Sequence, residues 1–258
     1  EVLDDAGTAV VWVDDPHSER VIDLARTRGN RLITVGEHGD TLRLVKREPS
    51  LLGQTLTIEA EGKAHVVKLP LIGAYQAANA LTAAGLVIAT GGDVAATLAG
   101  LARLQPVRGR LERAAIAASG APVYVDYAHT PDALEAAIAA LKPHAEGRLI
   151  VVFGAGGDRD TGKREPMGEA AARGADVVIV TDDNPRTEDA AAIRREVLKG
   201  APGAAEIGDR RAAIRAAIEQ AGPTDIVLIA GKGHEQGQIV GDLVLPFDDV
   251  TVARECAA

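Results

Sequence analysis

The sequence predicts an α/β protein whose carboxyl-terminal part is a mainly parallel sheet with helices on both faces. Three observations carry that prediction. Apolar runs of about five residues alternate with longer alanine-rich segments from residue 122 onward, the pattern of strands buried between crossover helices. Residues 41–70 instead alternate apolar and polar side chains in TLRLVKRE, QTLTIEAEG and KAHVVKLPL, as antiparallel strands with one wet face do. Only 2% of the residues are aromatic while 47% are hydrophobic, so the core between these elements must be closed tightly by Ala, Val, Leu and Ile.

Taken in order, AVVWV (9–13) reads as a short buried strand ending at Asp14 and Asp15. A helix over SERVIDLARTRG follows, closed by Gly29, and RLITVG is a second strand. After the three alternating strands, GAYQAANALTAAGLVIATGG is an alanine-rich helix and DVAATLAGLARL another. Beyond PVRGRLERA the pattern becomes strict alternation. Strands at PVYVDYAH, RLIVVFG, ADVVIVTDD and DIVLIAGKG are interleaved with helices at DALEAAIAALK, EPMGEAAARG, EDAAAIRREVLKG and RRAAIRAAIEQAG. QIVGDLVLPFDD reads as a hairpin before a last short helix. There is no low-complexity linker, so the change of pattern alone sets a domain boundary near Val107, giving parts 1–107 and 108–258.

The formal charge of −9 argues against a nucleic-acid binder, which shows a clustered basic face. One cysteine, Cys256, gives no intrachain disulfide framework and no cysteine metal cluster, which fits a reducing, cytoplasmic setting. No run approaches the roughly 20 apolar residues that span a bilayer, and no basic-then-apolar leader opens the chain, so no membrane partner is expected. The chain begins at Glu1 and its one methionine is Met167. A piece of a longer protein is therefore expected.

Ligands of open α/β sheets gather beyond the carboxyl ends of the strands. Each strand of the second part delivers an unusual loop there: DYAHTPD (126–132), GAGGDRDTGKR (154–164), TDDNPR (181–186) and GKGHEQ (231–236). In the first, Thr130 can cap the following helix, Pro131 suits its first position and Asp132 suits its dipole. Asp126 and His129 have no such task; they are either solvated or partners of a nucleotide's ribose or phosphate. The second loop matches two phosphate motifs falsely: Arg164 stands where G-x-x-x-x-G-K requires Ser or Thr, and Arg159 occupies the last glycine of a G-x-G-x-x-G. Its Arg159, Lys163 and Arg164 either stay solvated or bind carboxylate or phosphate.

In the third loop Thr187 can cap the next helix, with Glu188 and Asp189 in its first turn. Arg186, beside Pro185, offers a planar fork suited to a carboxylate. In the fourth, the glycines let backbone approach a ligand, and Glu235 offers an anionic partner for an ammonium group. Cationic forks and separate carboxylates along one edge fit a zwitterionic substrate, an amino acid.

GRLE (109–112), DYAHTPDAL (126–134), GGDRDTGKR (156–164), DDNPR (182–186) and GKGHE (231–235), in this order, resemble the carboxyl-terminal domain of the Mur ligases. LIGAYQAANAL (71–81) and the strands before it resemble the latter part of that family's central domain. The resemblance implies a Rossmann-like domain over 108–258, preceded over 1–107 by the latter part of an α/β ATP-binding domain without its phosphate loop. It implies an ATP-dependent acid–amino-acid ligase of peptidoglycan synthesis, cytoplasmic and monomeric. ATP and Mg2+ would be its cofactors, and meso-diaminopimelate and UDP-MurNAc-L-Ala-D-Glu its other partners.

By the same resemblance DDNPR is the diaminopimelate motif, in which Arg186 binds the distal carboxylate. Arg159, Asp183, Asn184, Pro185, Gly231 and Glu235 would line the amino-acid site. Asn79 would touch the adenine, and Arg110, Asp126 and His129 would face the nucleotide; Gln76 stands where many relatives carry asparagine. The family's phosphate loop, modified lysine and Mg2+ ligands lie upstream of Glu1. No metal ligand or catalytic residue is therefore expected within this chain, which alone is expected not to turn over ATP. Two other readings compete: a relative with another substrate, lysine-adding or folylpolyglutamate-forming, against which DDNPR speaks, and a non-catalytic amino-acid- or nucleotide-binding module.

Overall fold

A computed structural model describes residue 4 and residues 7–258. The chain forms two compact units, Glu1–Gln105 and Pro106–Ala258.

The first unit runs β1 (Thr8–Trp12), α1 (Ser18–Thr27), β2 (Arg31–Gly36), β3 (Leu42–Ser50), β4 (Gly53–Ala60), β5 (Lys63–Leu69), α2 (Ala74–Ala89) and α3 (Val94–Gly100). Its sheet keeps chain order, β1-β2-β3-β4-β5. The first two pairings are parallel and the last two antiparallel, as the change of texture at residue 41 predicts. Leu42, Leu44, Leu56, Ile58, Val67 and Leu69 line the inner face against Ala77, Ala80, Leu81 and Ala84 of α2. The expectation of a buried first strand holds only for Val11; the rest of β1 is half-buried. Among the described residues that strand lies at the end of the sheet, with only β2 paired to it. Gln54 is buried, and its Nε2 donates to the carbonyls of Leu71 (2.9 Å) and Gly73 (2.9 Å), which fixes the entry to α2.

The second unit runs β6 (Glu112–Ile116), β7 (Pro122–Asp126), α4 (Pro131–Leu141), β8 (Leu149–Phe153), α5 (Arg164–Gly174), β9 (Val177–Val180), α6 (Ala190–Gly200) and β10 (Ala205–Glu206). It continues with α7 (Arg210–Glu219), β11 (Ile226–Ala230), the hairpin β12 (Gly237–Val240) and β13 (Leu243–Pro246), and α8 (Asp249–Ala257). The sheet order is β10-β9-β8-β11-β7-β6, parallel throughout except for the antiparallel edge β6. β6 is a strand the alternation did not announce, because ERAAI has no apolar run of its own and only Ala114 in it is buried. β8 and β11 are fully buried over their whole length, as strands flanked on both faces must be. One face packs on Ala213, Ile214, Ala217 and Ile218 of α7 and on Val250, Val252 and Ala253 of α8, so small side chains close the core. Among the described residues no helix is long and apolar enough to cross a membrane.

Candidate functional site

Four parallel strands, β7, β8, β9 and β11, end on the same edge of the second unit, and the loops that follow them frame a cavity of about 430 Å³. His129, Arg159, Asp183, Asn184, Arg186, Gly231 and Glu235, all named from the sequence, line it, together with Tyr127, Gly156, Asp160 and Lys163. Pro185 and Asp126 are buried and do not line it, nor does the exposed Arg110. Asn79 belongs to the first unit and is exposed on α2, its Nδ2 reaching Gln76 Oε1 one turn away at 3.5 Å.

The anionic wall of the cavity is organised by a lysine. Lys232 is fully buried, and its Nζ donates to Asn184 Oδ1 (2.9 Å), Glu235 Oε2 (3.2 Å) and Asp183 Oδ1 (3.4 Å). Asn184 Nδ2 closes the ring by donating to Glu235 Oε2 at 3.0 Å. One cation is thus shared by two carboxylates, which leaves the cluster one negative charge for a ligand. Gly231, the hinge of this loop, has φ +116°, a conformation that costs a side-chain residue free energy and glycine very little. Behind the wall, Arg210 and Asp249 form a fully buried ion pair (2.7 Å). Burial would lower the Arg210 pKa, but Asp249 and the nearby Asp183 and Glu235 keep it raised. Arg210 also donates to the carbonyls of Asp182 and Ala230, tying the exit of β11 to that of β9.

Arg186 supplies the opposite charge. Its backbone sits at φ +53°, and its Nη1 donates to the Gly157 carbonyl at 2.7 Å. Nε and Nη2 have no hydrogen-bond partner among the described residues, so one edge of the fork stays available. The β8 and β9 loops are stitched together beneath it. Gly157 N–H donates to the Asn184 carbonyl (2.8 Å), and Asp158 accepts from the Thr187 hydroxyl (2.7 Å) and amide (3.1 Å). These bonds hold the Asp158 carboxyl below its usual range. Gly157 has no room for a side chain, since a Cβ there would lie 2.0 Å from the Pro185 carbonyl oxygen.

Arg159 is exposed and makes no ion pair among the described residues. Lys163 donates to the His129 carbonyl at 2.7 Å. Desolvation lowers its pKa against the pull of Asp183 and Asp160, and the neighbouring Arg186 and Arg164 add to the lowering.

The β7 loop carries an aromatic step. Tyr127 stacks at a tilt on His129 (4.5 Å) and His234 (5.0 Å), and the Arg110 guanidinium lies 5.0 Å from the centre of its ring. Asp126 is fully engaged by backbone: Oδ2 accepts Leu111 N–H (2.8 Å) and Oδ1 accepts Ala128 N–H (2.9 Å). Burial raises its pKa, against the two amides and Arg110. It therefore holds the GRLE turn, where Leu111 has φ +42°, against the β7 loop.

Comparison with known proteins decides the family. The model of the Mur ligase glutamate ligase domain matches residues 109–233 and that of the Mur ligase middle domain matches residues 1–87. The chain is 62% identical over 253 residues to the UDP-N-acetylmuramoyl-L-alanyl-D-glutamate--2,6-diaminopimelate ligase of Zymomonas mobilis, covering 96% of this chain and 52% of that protein. This chain belongs to the Mur ligases. It is also 54% identical over 253 residues to the namesake ligase of Caulobacter vibrioides, covering 97% of this chain and 52% of that protein. A solved structure of a UDP-N-acetylmuramoyl-L-alanyl-D-glutamate--2,6-diaminopimelate ligase superposes with a TM-score of 0.78 at 37% identity, over 97% of this chain and 53% of that one. The Mur ligase chain thus spans about half the length of the curated relatives it matches.

Three expectations about this Mur ligase loop edge need correction. Thr187 does not cap α6: Asp189 does, accepting from Ala191 N–H, because α6 begins only at Ala190, while Thr187 donates its hydroxyl and amide to Asp158. Arg164 is no ligand-binding residue; it is 2% exposed and pairs with Glu188 (2.8 Å) and Glu196 (2.9 Å). The second glycine of GKGHE serves chain packing, since a Cβ on Gly233 would lie 2.6 Å from Tyr127 Cβ. By contrast Thr130 caps α4 with Pro131 in its first turn, as expected.

Two residues that sequence reasoning passed over, Lys232 and Arg210, left signals. Lys232 follows the apolar IVLIA strand by a single glycine, where the chain is only just leaving a sheet buried on both faces. Arg210 opens a helix, where the dipole disfavours a cation and a buried anion must compensate. Among the described residues no cluster of three His, Cys, Asp or Glu side chains is placed to hold a metal.

Proposed function

We propose that this chain is the amino-acid-binding half of an ATP-dependent ligase that joins meso-diaminopimelate to UDP-MurNAc-L-Ala-D-Glu in peptidoglycan synthesis. In this reading residues 1–107 are the latter part of the ATP-binding domain and 108–258 the carboxyl-terminal domain, in a monomeric cytoplasmic enzyme. The observation that carries it is the pairing, in one cavity, of an open Arg186 fork with the Asp183–Asn184–Glu235 cluster that Lys232 half-neutralises. A fork and an excess carboxylate suit the distal carboxylate and ammonium of a diamino diacid. Arg159 and Lys163 lie within reach of its second carboxylate.

ATP would activate the side-chain carboxylate of the D-glutamyl residue as an acyl phosphate, which the free amine of the bound amino acid attacks with loss of phosphate. The chain's own residues act by position: they hold the distal half of the amino acid so that its reacting amine has one orientation. Asn79, Arg110 and His129 are the proposed nucleotide contacts, with Asp126 acting by fixing the turn that presents Arg110 over Tyr127. Among the described residues no cluster of three His, Cys, Asp or Glu side chains is placed to hold Mg2+.

The test is calorimetric binding to this chain of meso-diaminopimelate and of L-lysine, which lacks the distal carboxylate, repeated for Arg186→Ala. Binding of diaminopimelate, weak or absent binding of lysine, and loss of the difference in the variant are expected. At about 100 times its dissociation constant the ligand should add roughly 2.7 kcal/mol to stability. Equal affinities for the two amino acids would overturn the assignment of Arg186.

A further inference from the structure

The hairpin β12–β13 belongs to neither large sheet, yet it grips the DDNPR loop at four points. Gln238 Nε2 donates to the Asp183 carbonyl (2.7 Å), and Ile239 N–H donates to Asn184 Oδ1 (2.9 Å). Arg186 N–H donates to the Ile239 carbonyl (3.1 Å), and Gly241 N–H donates to the Arg186 carbonyl (2.7 Å). Arg186 and Val240 form a parallel bridge, so that Arg186 pairs with the hairpin as a one-residue strand.

We infer that this hairpin is a strap that sets the geometry of the Arg186 fork and of Asn184, with Gln238 as its side-chain anchor, and so acts as a specificity-positioning element. The inference rests on the amino-acid site proposed above. Two physical points support it. A left-handed backbone is disfavoured at a non-glycine residue such as Arg186, because its Cβ crowds the following carbonyl. Pro185 fixes only its own φ, and at Arg186 both backbone polar groups are held in that conformation by the strap. The strap also resolves which way Asn184 points: its Oδ1 accepts from Ile239 N–H and Lys232 Nζ, which leaves Nδ2 to donate to Glu235.

The dependence runs both ways. A lone two-stranded hairpin is marginal in water, and the DDNPR loop supplies the only main-chain hydrogen bonds that join the strand residues 237–246 and their turn to another element among the described residues. Occupation of the fork and docking of the strap are therefore linked, and linkage is reciprocal.

The test uses this chain with Gln238→Leu and Gln238→Glu, neither of which can donate to the Asp183 carbonyl. The side chain is half-buried at the surface, so both variants should fold with nearly unchanged melting temperature. Calorimetry with meso-diaminopimelate, and with L-lysine measured by displacement at high concentration, is expected to show diaminopimelate affinity reduced on the order of five- to tenfold and the weaker lysine affinity reduced by a smaller factor. A merely structural loss would weaken both ligands alike, and that outcome overturns the strap's role in specificity, as does unchanged diaminopimelate affinity. In the unaltered chain, diaminopimelate should slow hydrogen exchange at the amides of Ile239 and Gly241; exchange rates that ignore the ligand overturn the linkage. No binding by the unaltered chain refutes the amino-acid site itself and the strap's role with it.

Discussion

Replacing Lys232 by methionine tests the internal logic of the cavity wall. The substitution keeps the length and apolar stem of the side chain and removes the charge that Asp183, Asn184 and Glu235 share. Deleting one partner of a fully buried ion pair costs about 3–5 kcal/mol, because the survivor is left charged and dry. Here the survivors are not equally trapped. Asp183 is 9% exposed and makes the longest contact, 3.4 Å, whereas Glu235 is 35% exposed and can turn to water. The penalty falls accordingly to roughly 2–3 kcal/mol. At roughly 2–4 °C per kcal/mol for a domain of this size, differential scanning calorimetry should place the transition roughly 4–12 °C lower.

Removing the orphaned charge should return part of the loss, so Lys232→Met/Asp183→Asn is expected to melt above the single variant by a few degrees. The cycle also reports how far Lys232 and Asp183 are coupled. A single variant within about 1 °C of the unaltered chain would refute the reasoning, and so would a double variant no more stable than the single. Either result would mean that Lys232 does not neutralise the wall.

Three further outcomes follow from the same structure. Arg210→Met should destabilise by about 3–5 kcal/mol, since Asp249 is left fully buried without its cation, and adding Asp249→Leu should recover most of it in urea unfolding. Gly233→Ala should cost several degrees in melting temperature, because its Cβ would sit 2.6 Å from Tyr127 Cβ and 2.9 Å from Tyr127 N at φ +54°. The third concerns acid. The Thr187 hydroxyl and amide lower the Asp158 carboxyl, and Arg164 and the Asp158 amide lower that of Glu188. Depressed carboxylates contribute above their ordinary values and lose that contribution as pH falls through the depressed ones. Protection factors at the Thr187 and Asp158 amides should therefore fall as the medium is taken below pH 4.5, the ordinary value for Glu188, while those of β8 hold. Parallel loss in β8 would contradict a local effect.

Most of the architecture was legible because burial on both faces leaves a period-free apolar run. LIVVF and IVLIA are such runs, and both strands are fully buried. β6 escaped because it is a short edge strand with a single buried residue, Ala114, and so carries no apolar run. At the site, the loops and their charged residues were legible from position alone, since the carboxyl edge of a parallel sheet is where unpaired loops converge. Direction was not. Arg159, Lys163 and Arg164 stand within six residues, yet the first is exposed, the second faces the cavity and the third is locked between Glu188 and Glu196. Which of three neighbouring cations is free depends on where α6 brings its glutamates, and no local pattern encodes that. The same holds for Thr187, a sound helix cap by composition, since α6 starts only after Asp189 and Thr187 donates to Asp158 instead.

The balance of charge argues for the kind of ligand this edge can accept. The cavity is lined by three cations, Arg159, Lys163 and Arg186, and three anions, Asp160, Asp183 and Glu235. A phosphate or a simple diacid would gain from the cations but would bring its own charge against Asp183 and Glu235. A diamine would meet the reverse problem at Arg186, whose Nη1 is already committed to Gly157 and whose remaining edge can only donate. A molecule carrying both signs at a fixed spacing satisfies each wall without opposing the other. Lysine offers the ammonium and one carboxylate but nothing for a second cationic wall, which would leave the Arg186 edge desolvated and unmatched. Under the proposed assignment a charged donor left so would cost about 1.5–3 kcal/mol, a discrimination of roughly ten- to a hundredfold against lysine. The wall of the cavity can demand this because its own charges are fixed from behind by Lys232, from beneath by the Asp158 and Gly157 bonds, and along one side by the strap.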